Sequence, residues 1–143
     1  MADPVEGTSD PLVFRYIFRF DNGSEKTFVV TLDRKTLQLL QPVQVSYPPW
    51  TALSHRQCPN CPLNDTRDPQ CPAATSLTGL VEHFGQSLSI EQVHVTIETE
   101  ARTYVKRAML PEAVSSLIGL LMVTSGCPIM AKLRPMVRHH LPF

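Results

Sequence analysis

The chain has 143 residues, a formal net charge of +0, 43% hydrophobic and 18% charged residues. That size suits one domain able to bury a core without covalent staples. The even balance, with no block of like charge, excludes an electrostatic footprint for nucleic acid or an anionic membrane, and the longest apolar stretch, Ala113 to Val123, is too short to span a bilayer.

The leading MADPVEGTSDP, residues 1–11, is acidic, polar and proline-containing, the opposite of a basic segment running into an apolar export signal. It is expected to be a disordered lead to a single domain over residues 12–143, in a cytoplasmic protein. LVFRYIFRF, Leu12 to Phe20, alternates Phe14, Tyr16, Phe18 and Phe20 against Arg15 and Arg19, the pattern of a half-buried strand. Asp21-Asn22-Gly23 then offers the positive-φ positions of a tight hairpin turn, and Lys26 to Leu32 returns as the partner strand. Leu32 to Leu40 reads as a turn or short helix. Pro42, Pro48 and Pro49 argue against regular structure after it.

Beyond the cysteine-rich stretch, Leu77, Leu80, Val81 and Phe84 recur at helical spacing, with Gly85 as a stop. Glu91 to Arg107 reads as a second hairpin: Val93, Val95 and Ile97 share a face, Thr99-Glu100-Ala101 turns, and Thr103 and Val105 answer from the returning strand. Pro111 suits the first turn of a helix closed by Gly126. Pro128 to His140 is expected to be helical until Pro135 interrupts it. The order predicts an α+β fold: two β-hairpins forming an antiparallel sheet, two to three helices on one face, and a Cys-rich loop. Its core is expected at Phe14, Phe18, Val95, Leu117 and Leu121. His83 and His94 are expected at the surface, and Met109, Met122, Met130 and Met136 as core filler.

All four cysteines are followed by proline: Cys58-Pro59, Cys61-Pro62, Cys71-Pro72 and Cys127-Pro128. With 13 prolines in the chain, chance gives that on the order of one time in ten thousand. Cys71 and Cys127 each precede an expected helix beginning with proline, which makes each an N-cap. Proline costs little there because its missing N–H would be unpaired, and a thiolate at the positive end of a helix is favoured as the anion. In the CPNC stretch, proline stiffens the loop and sets an apolar ring beside each sulfur. The spacing C-x2-C lets one loop give two sulfurs to a single metal or cluster.

The predicted site is therefore a four-thiolate metal centre at Cys58, Cys61, Cys71 and Cys127. Structural zinc sites usually bring two C-x2-C pairs, and this chain has one. Three clustered cysteines plus a remote Cys-Pro favour a [4Fe–4S] cluster, with a four-cysteine structural zinc site in a non-enzymatic interaction module as the alternative and copper or no metal behind it. Leu63, Ala73, Ala74, Ile129 and Met130 are expected to form the apolar shell. His55, Arg56, Arg67, Lys132 and Arg134 are expected to offset the negative charge. Fully thiolate-ligated iron leaves no open position for a substrate, so a non-enzymatic role in electron transfer, redox sensing or structure is expected. Two plainer readings compete: buried cysteines acting as small hydrophobes, and disulfides, of which Cys58–Cys71 with Cys61–Cys127 is one of three connectivities. A reducing compartment disfavours the second. His139 and His140 are weaker candidates for a ligand or proton donor.

CPNCPL, the later Cys-Pro, SSLIGLLMVTSGCP and LRPMVRHHLPF together resemble an uncharacterised bacterial family, a domain of unknown function with Cys-Pro-x-Cys-Pro-Leu, Ser-Gly-Cys-Pro and His-Leu-Pro-Phe motifs. The resemblance implies the same four cysteines, with His140, as candidate ligand positions, and no activity. It also implies that such chains continue past His-Leu-Pro-Phe into further helical sequence. An apolar end of Leu141, Pro142 and Phe143 would then invite self-association or mark a shortened chain; a protein partner or a second copy is the expected company, with no nucleic acid and no membrane.

Overall fold

The computed structural model describes residues 10–42, 44–86 and 90–139. Most of the expected lead, residues 1–9, lies outside them. Asp10, the first described residue, is already tied to the domain, its carbonyl accepting a 2.8 Å bond from Arg34 Nε.

Four strands form one antiparallel sheet in the order β2-β1-β3-β4: β1 Leu12–Phe20, β2 Glu25–Leu32, β3 Gln92–Glu98 and β4 Thr103–Met109. Two hairpins meet along β1 and β3, with Phe18 opposite Val95 and Tyr16 opposite Ile97. Period-two alternation puts Phe14, Tyr16, Phe18 and Phe20 on the inner face, all buried, with Val93, Val95 and Ile97 beside them. Each such side chain contributes roughly 1.5–3 kcal/mol over exposure. The outer face carries spaced ion pairs, Arg15–Glu98 at 3.8 Å and Arg19–Glu25 at 3.2 Å, exposed and of small energetic weight.

The first hairpin turns through three residues. Gly23 N–H donates to Phe20 O at 3.0 Å and Phe20 N–H to Ser24 O at 2.9 Å, while Gly23 alone of the three takes a positive φ, +87°. This is a type I turn closed by a glycine bulge, not a two-residue turn with successive positive-φ positions. In the second hairpin Val93, Val95 and Ile97 face Ala108, Lys106 and Tyr104. Thr103 and Val105, expected to answer them, instead oppose Glu98 and Thr96 on the outer face. A one-residue offset in register exchanges the two faces.

The helices are α1 Pro72–Ser76, α2 Thr78–Phe84 and α3 Leu110–Thr124, followed by a 3-10 helix over Met130–His139. Phe84 of α2 meets Phe18 edge-on at 4.9 Å, and α3 packs on β3 and β4 with Leu117, Leu120 and Leu121 buried. The helices thus cover one face of the sheet. The single helix expected from Pro72 to the Gly85 stop is broken at Leu77 into α1 and α2, and Val81 is half exposed. Pro111 stands second in α3, after Leu110. The terminal segment continues as a 3-10 helix through Pro135. Met109 and Met136 are exposed, not core. Leu37, at φ +60°, ends a turn in which the Asp33 carboxylate accepts amide bonds from Lys35 and Thr36. Those bonds hold the Asp33 carboxyl below its usual range. No helix among the described residues is long and apolar enough to cross a membrane.

Candidate functional site

The segment between β2 and α1 is a long loop drawn shut at its base. Cys71 N–H donates to Thr51 O at 2.7 Å and Leu53 N–H to Pro69 O at 3.0 Å, with a β-bridge between Ala52 and Gln70. The buried Thr51 hydroxyl lies 2.6 Å from Gln70 Oε1 at the same neck. Inside the loop, Gln57 Nε2 reaches the Leu63 carbonyl at 2.9 Å, and Asn64 closes a turn by accepting from Arg67, Asp68 and Thr66. Neck and turns define the loop's path with few buried side chains, Leu53 among them.

Proline has a separate local cause at each cysteine that these bonds resolve. Cys61 N–H donates to Cys58 O at 3.0 Å, a turn with Pro59 at the second position, where its fixed φ is favoured. Pro72 opens α1, and Cys71 is the extended-backbone N-cap whose carbonyl accepts from Thr75 N–H at 2.9 Å. Cys127 repeats the last feature: its carbonyl accepts from Ala131 N–H at 2.9 Å. Gly126, at φ +96°, makes the left-handed turn out of α3 that delivers it. Two expectations need correction. The Cys71 side chain makes no capping hydrogen bond, and the residue lines a cavity. Cys127 is not the cap of a regular α-helix, since the following helix is 3-10 and begins at Met130.

Cys58, Cys61, Cys71 and Cys127 all line that one cavity, of about 500 Å³. Two sulfurs come from the loop, one from the start of α1, and one from beyond the C-terminus of α3, on which α1 packs. The five residues expected as an apolar shell, Leu63, Ala73, Ala74, Ile129 and Met130, line it too. Trp50, Leu53 and Met122 join them without having been read as site residues from sequence. The chain's lone tryptophan, beside the proline pair Pro48-Pro49, was the signal available. Leu53 and Ala73 are buried yet stand outside the main core cluster, a satellite that walls the cavity.

Of the five basic candidates, His55 and Arg56 line the cavity; Arg67, Lys132 and Arg134 do not. Arg134 instead donates to Thr36 O at 3.4 Å, and its Nε is buried without a partner among the described residues. His139 lines a different cleft with Leu12, Tyr104 and Arg138. His140 and Leu141–Phe143 lie outside the described residues. Cys58 is exposed and the other three cysteines are half-buried, all four as free thiols. No carboxylate lines the cavity among the described residues. No three His, Cys, Asp or Glu side chains among the described residues converge closely enough to hold a single metal ion. The four thiols therefore surround a shared space without meeting at one point.

A sequence model of the family described as Domain of unknown function (DUF6901) matches residues 14–143, nearly the whole chain. No curated protein and no solved structure matches. The chain belongs to the DUF6901 family.

Proposed function

We propose that this protein is a small cytoplasmic metalloprotein holding one [4Fe–4S] cluster through Cys58, Cys61, Cys71 and Cys127, for electron transfer, redox sensing or a structural role, with a protein partner or a second copy as its company. The observation that carries this is the shared cavity: sulfurs from two segments far apart in sequence border the same 500 Å³ space. Random burial of four small hydrophobes would not gather them there.

The donor set suits the group. Four thiols match the ligand count of a cubane cluster. Trp50, Leu53, Ala73, Met122 and Ile129 supply the apolar wall that limits solvent access and sets a potential. Arg56 at the rim, with no carboxylate among the described lining residues, opposes the net negative charge of a thiolate-ligated cluster. Structural zinc sites usually bring two C-x2-C pairs, and this chain has one.

Anaerobic reconstitution of the full chain with ferrous iron and sulfide tests the proposal. The expected product is brown, with broad visible absorption, four irons and four sulfides per chain, quenched fluorescence from the lone Trp50 at the cavity wall, and a reversible one-electron wave in voltammetry. Colourless protein with stoichiometric zinc and no wave would replace this reading with the interaction module held by structural zinc.

A further inference from the structure

The sheet has two outer edges, and they are finished differently. In β2 the even-numbered residues bond to β1, a phase set by Phe20 N–H on Ser24 O at 2.9 Å, so the odd-numbered ones turn their backbone groups outward. That edge is partly occupied: Leu40 N–H donates to Thr31 O at 2.8 Å, and a β-bridge joins Leu32 to Leu39. In β4 the phase is set at both ends, by Leu110 N–H on Glu91 O at 2.9 Å and Thr99 N–H on Arg102 O at 2.8 Å. Thr103, Val105, Arg107 and Met109 therefore point their N–H and C=O groups away from β3. Among the described residues nothing in the chain bonds to those groups.

An open edge of this kind is normally blunted by a bulge, a proline or a charge held out along it. The register of β4 on β3 runs without a bulge, and the strand has no proline. Its charges are engaged elsewhere: Arg107 Nε donates to Gln92 Oε1 of β3 at 2.9 Å, and Lys106 pairs with Glu112 of α3. Val105, at mid-strand, is 65% exposed.

We propose that β4 is the docking edge for a second copy of this chain, paired antiparallel about a two-fold axis at Val105, so that two four-stranded sheets continue as one. The charge pattern selects that register. With the axis at Val105, Val105 meets its own copy, Thr103 stands opposite the partner's Arg107, and Tyr104 opposite the partner's Lys106. An axis at Tyr104 would set Arg102 against the partner's Lys106, one at Lys106 would bring two lysines together, and one at Arg107 two arginines. Like charges directly opposite one another destabilise a strand pair. The outward-pointing residues at 103, 105 and 107 then exchange paired backbone bonds across the new seam. None of them lines the cysteine cavity, so this pairing and the cluster reading stand or fall separately.

Sedimentation equilibrium and backbone hydrogen exchange of the full chain test the proposal. Expected is a dimer in which the Thr103, Val105 and Arg107 amides exchange more slowly as protein concentration rises. Val105→Pro removes an N–H that points away from β3, a position where an edge strand tolerates proline, and should give a monomer with an unchanged circular dichroism spectrum. If that variant does not fold, Val105→Lys takes its place: it sets two ammonium groups together at the axis and should weaken dimerisation about tenfold at low salt, with part of the loss recovered at high salt. A monomeric unsubstituted chain, a dimer whose three amides exchange at a rate independent of concentration, or a folded variant that dimerises as tightly as its parent would overturn the shared edge. Each of those results leaves the outcome of iron and sulfide reconstitution unaffected.

Discussion

The sheet with its helices and the cysteine loop are built on opposite principles. In the first, β1 lies between two partners along its length, and its inner face is closed by α2 and α3 over aromatic side chains of 0–6% exposure. In the second, residues 54–70 contain no buried residue and are guided by a clamp at the neck, a few turns and one side-chain bond across the loop. Burial contributes kcal/mol per side chain to the one. The other rests on short-range hydrogen bonds of modest net worth. A fold of this kind supplies its stability from the sheet and helices and draws little of it from the loop.

The hardest test of that contrast removes a ring from the core and a sulfur from the loop. Phe18→Ala should cost about 3–5 kcal/mol, a large share of the total for a domain of this size, seen as a lowered thermal midpoint. Cys58→Ser in metal-free protein should change stability by less than about 0.5 kcal/mol. If the proposed cluster is bound, its loss should likewise leave the helix and strand signal in circular dichroism intact while making the chain easier for trypsin to cut after Arg56 and Arg67. A metal-free Cys58→Ser protein without a cooperative transition would mean that the loop belongs to the core after all.

Next in size is the alkaline limb. Burial pushes the Tyr16 phenol up to about 12, against a weaker opposing hydrogen bond with Ser116. Because the folded value exceeds the ordinary value near 10, the unfolded chain loses its proton first, and stability present below pH 10 is lost as the pH rises toward 12. The loss should approach roughly 3 kcal/mol. Tyr16→Phe should flatten that limb in pH-dependent urea titrations, and no change there would place the phenol nearer water than its burial indicates.

A smaller effect is expected at the seam between the regions. The Cys71 side chain leaves the α1 amides uncapped, so in metal-free protein Cys71→Ser should melt above Cys71→Ala by up to about 1 kcal/mol, as a hydroxyl takes up the capping role. At Cys127, where no α-helix begins, serine and alanine should melt together. A difference at 127 and none at 71 would reverse the assignment.

The least effect is expected at Asp33. The Thr36 and Lys35 amides hold its carboxyl below the usual range, so its contribution is present above the ordinary carboxylate value and is lost as pH falls through the lowered folded one. Asp33→Asn keeps an acceptor for both amides and removes the titration. Acid unfolding should become slightly shallower with stability at neutral pH nearly unchanged.

Elements whose cause is local were legible along the chain. Alternating Phe14, Tyr16, Phe18 and Phe20 could bury one face only as a strand, and Gly23 and Gly126 mark left-handed positions that other residues adopt at a cost. The five core residues expected from spacing are all buried, and the Cys-Pro pairs pointed to four residues that do share a cavity. Features that depend on neighbours came from the packing. Which face of β4 turns inward follows from its register with β3, and period alone cannot distinguish Val105 from Tyr104 when a strand alternates mixed residues on both sides. The break at Leu77 is set by α1 packing on α3 while α2 packs against the sheet. The placing of Trp50 and Met122 beside the sulfurs, and the exclusion of Arg67, Lys132 and Arg134 from them, required the loop neck between Thr51 and Cys71 to bring distant segments together. A hydrogen-bonded neck and a helix contact are long-range events, and no spacing rule along the chain encodes them.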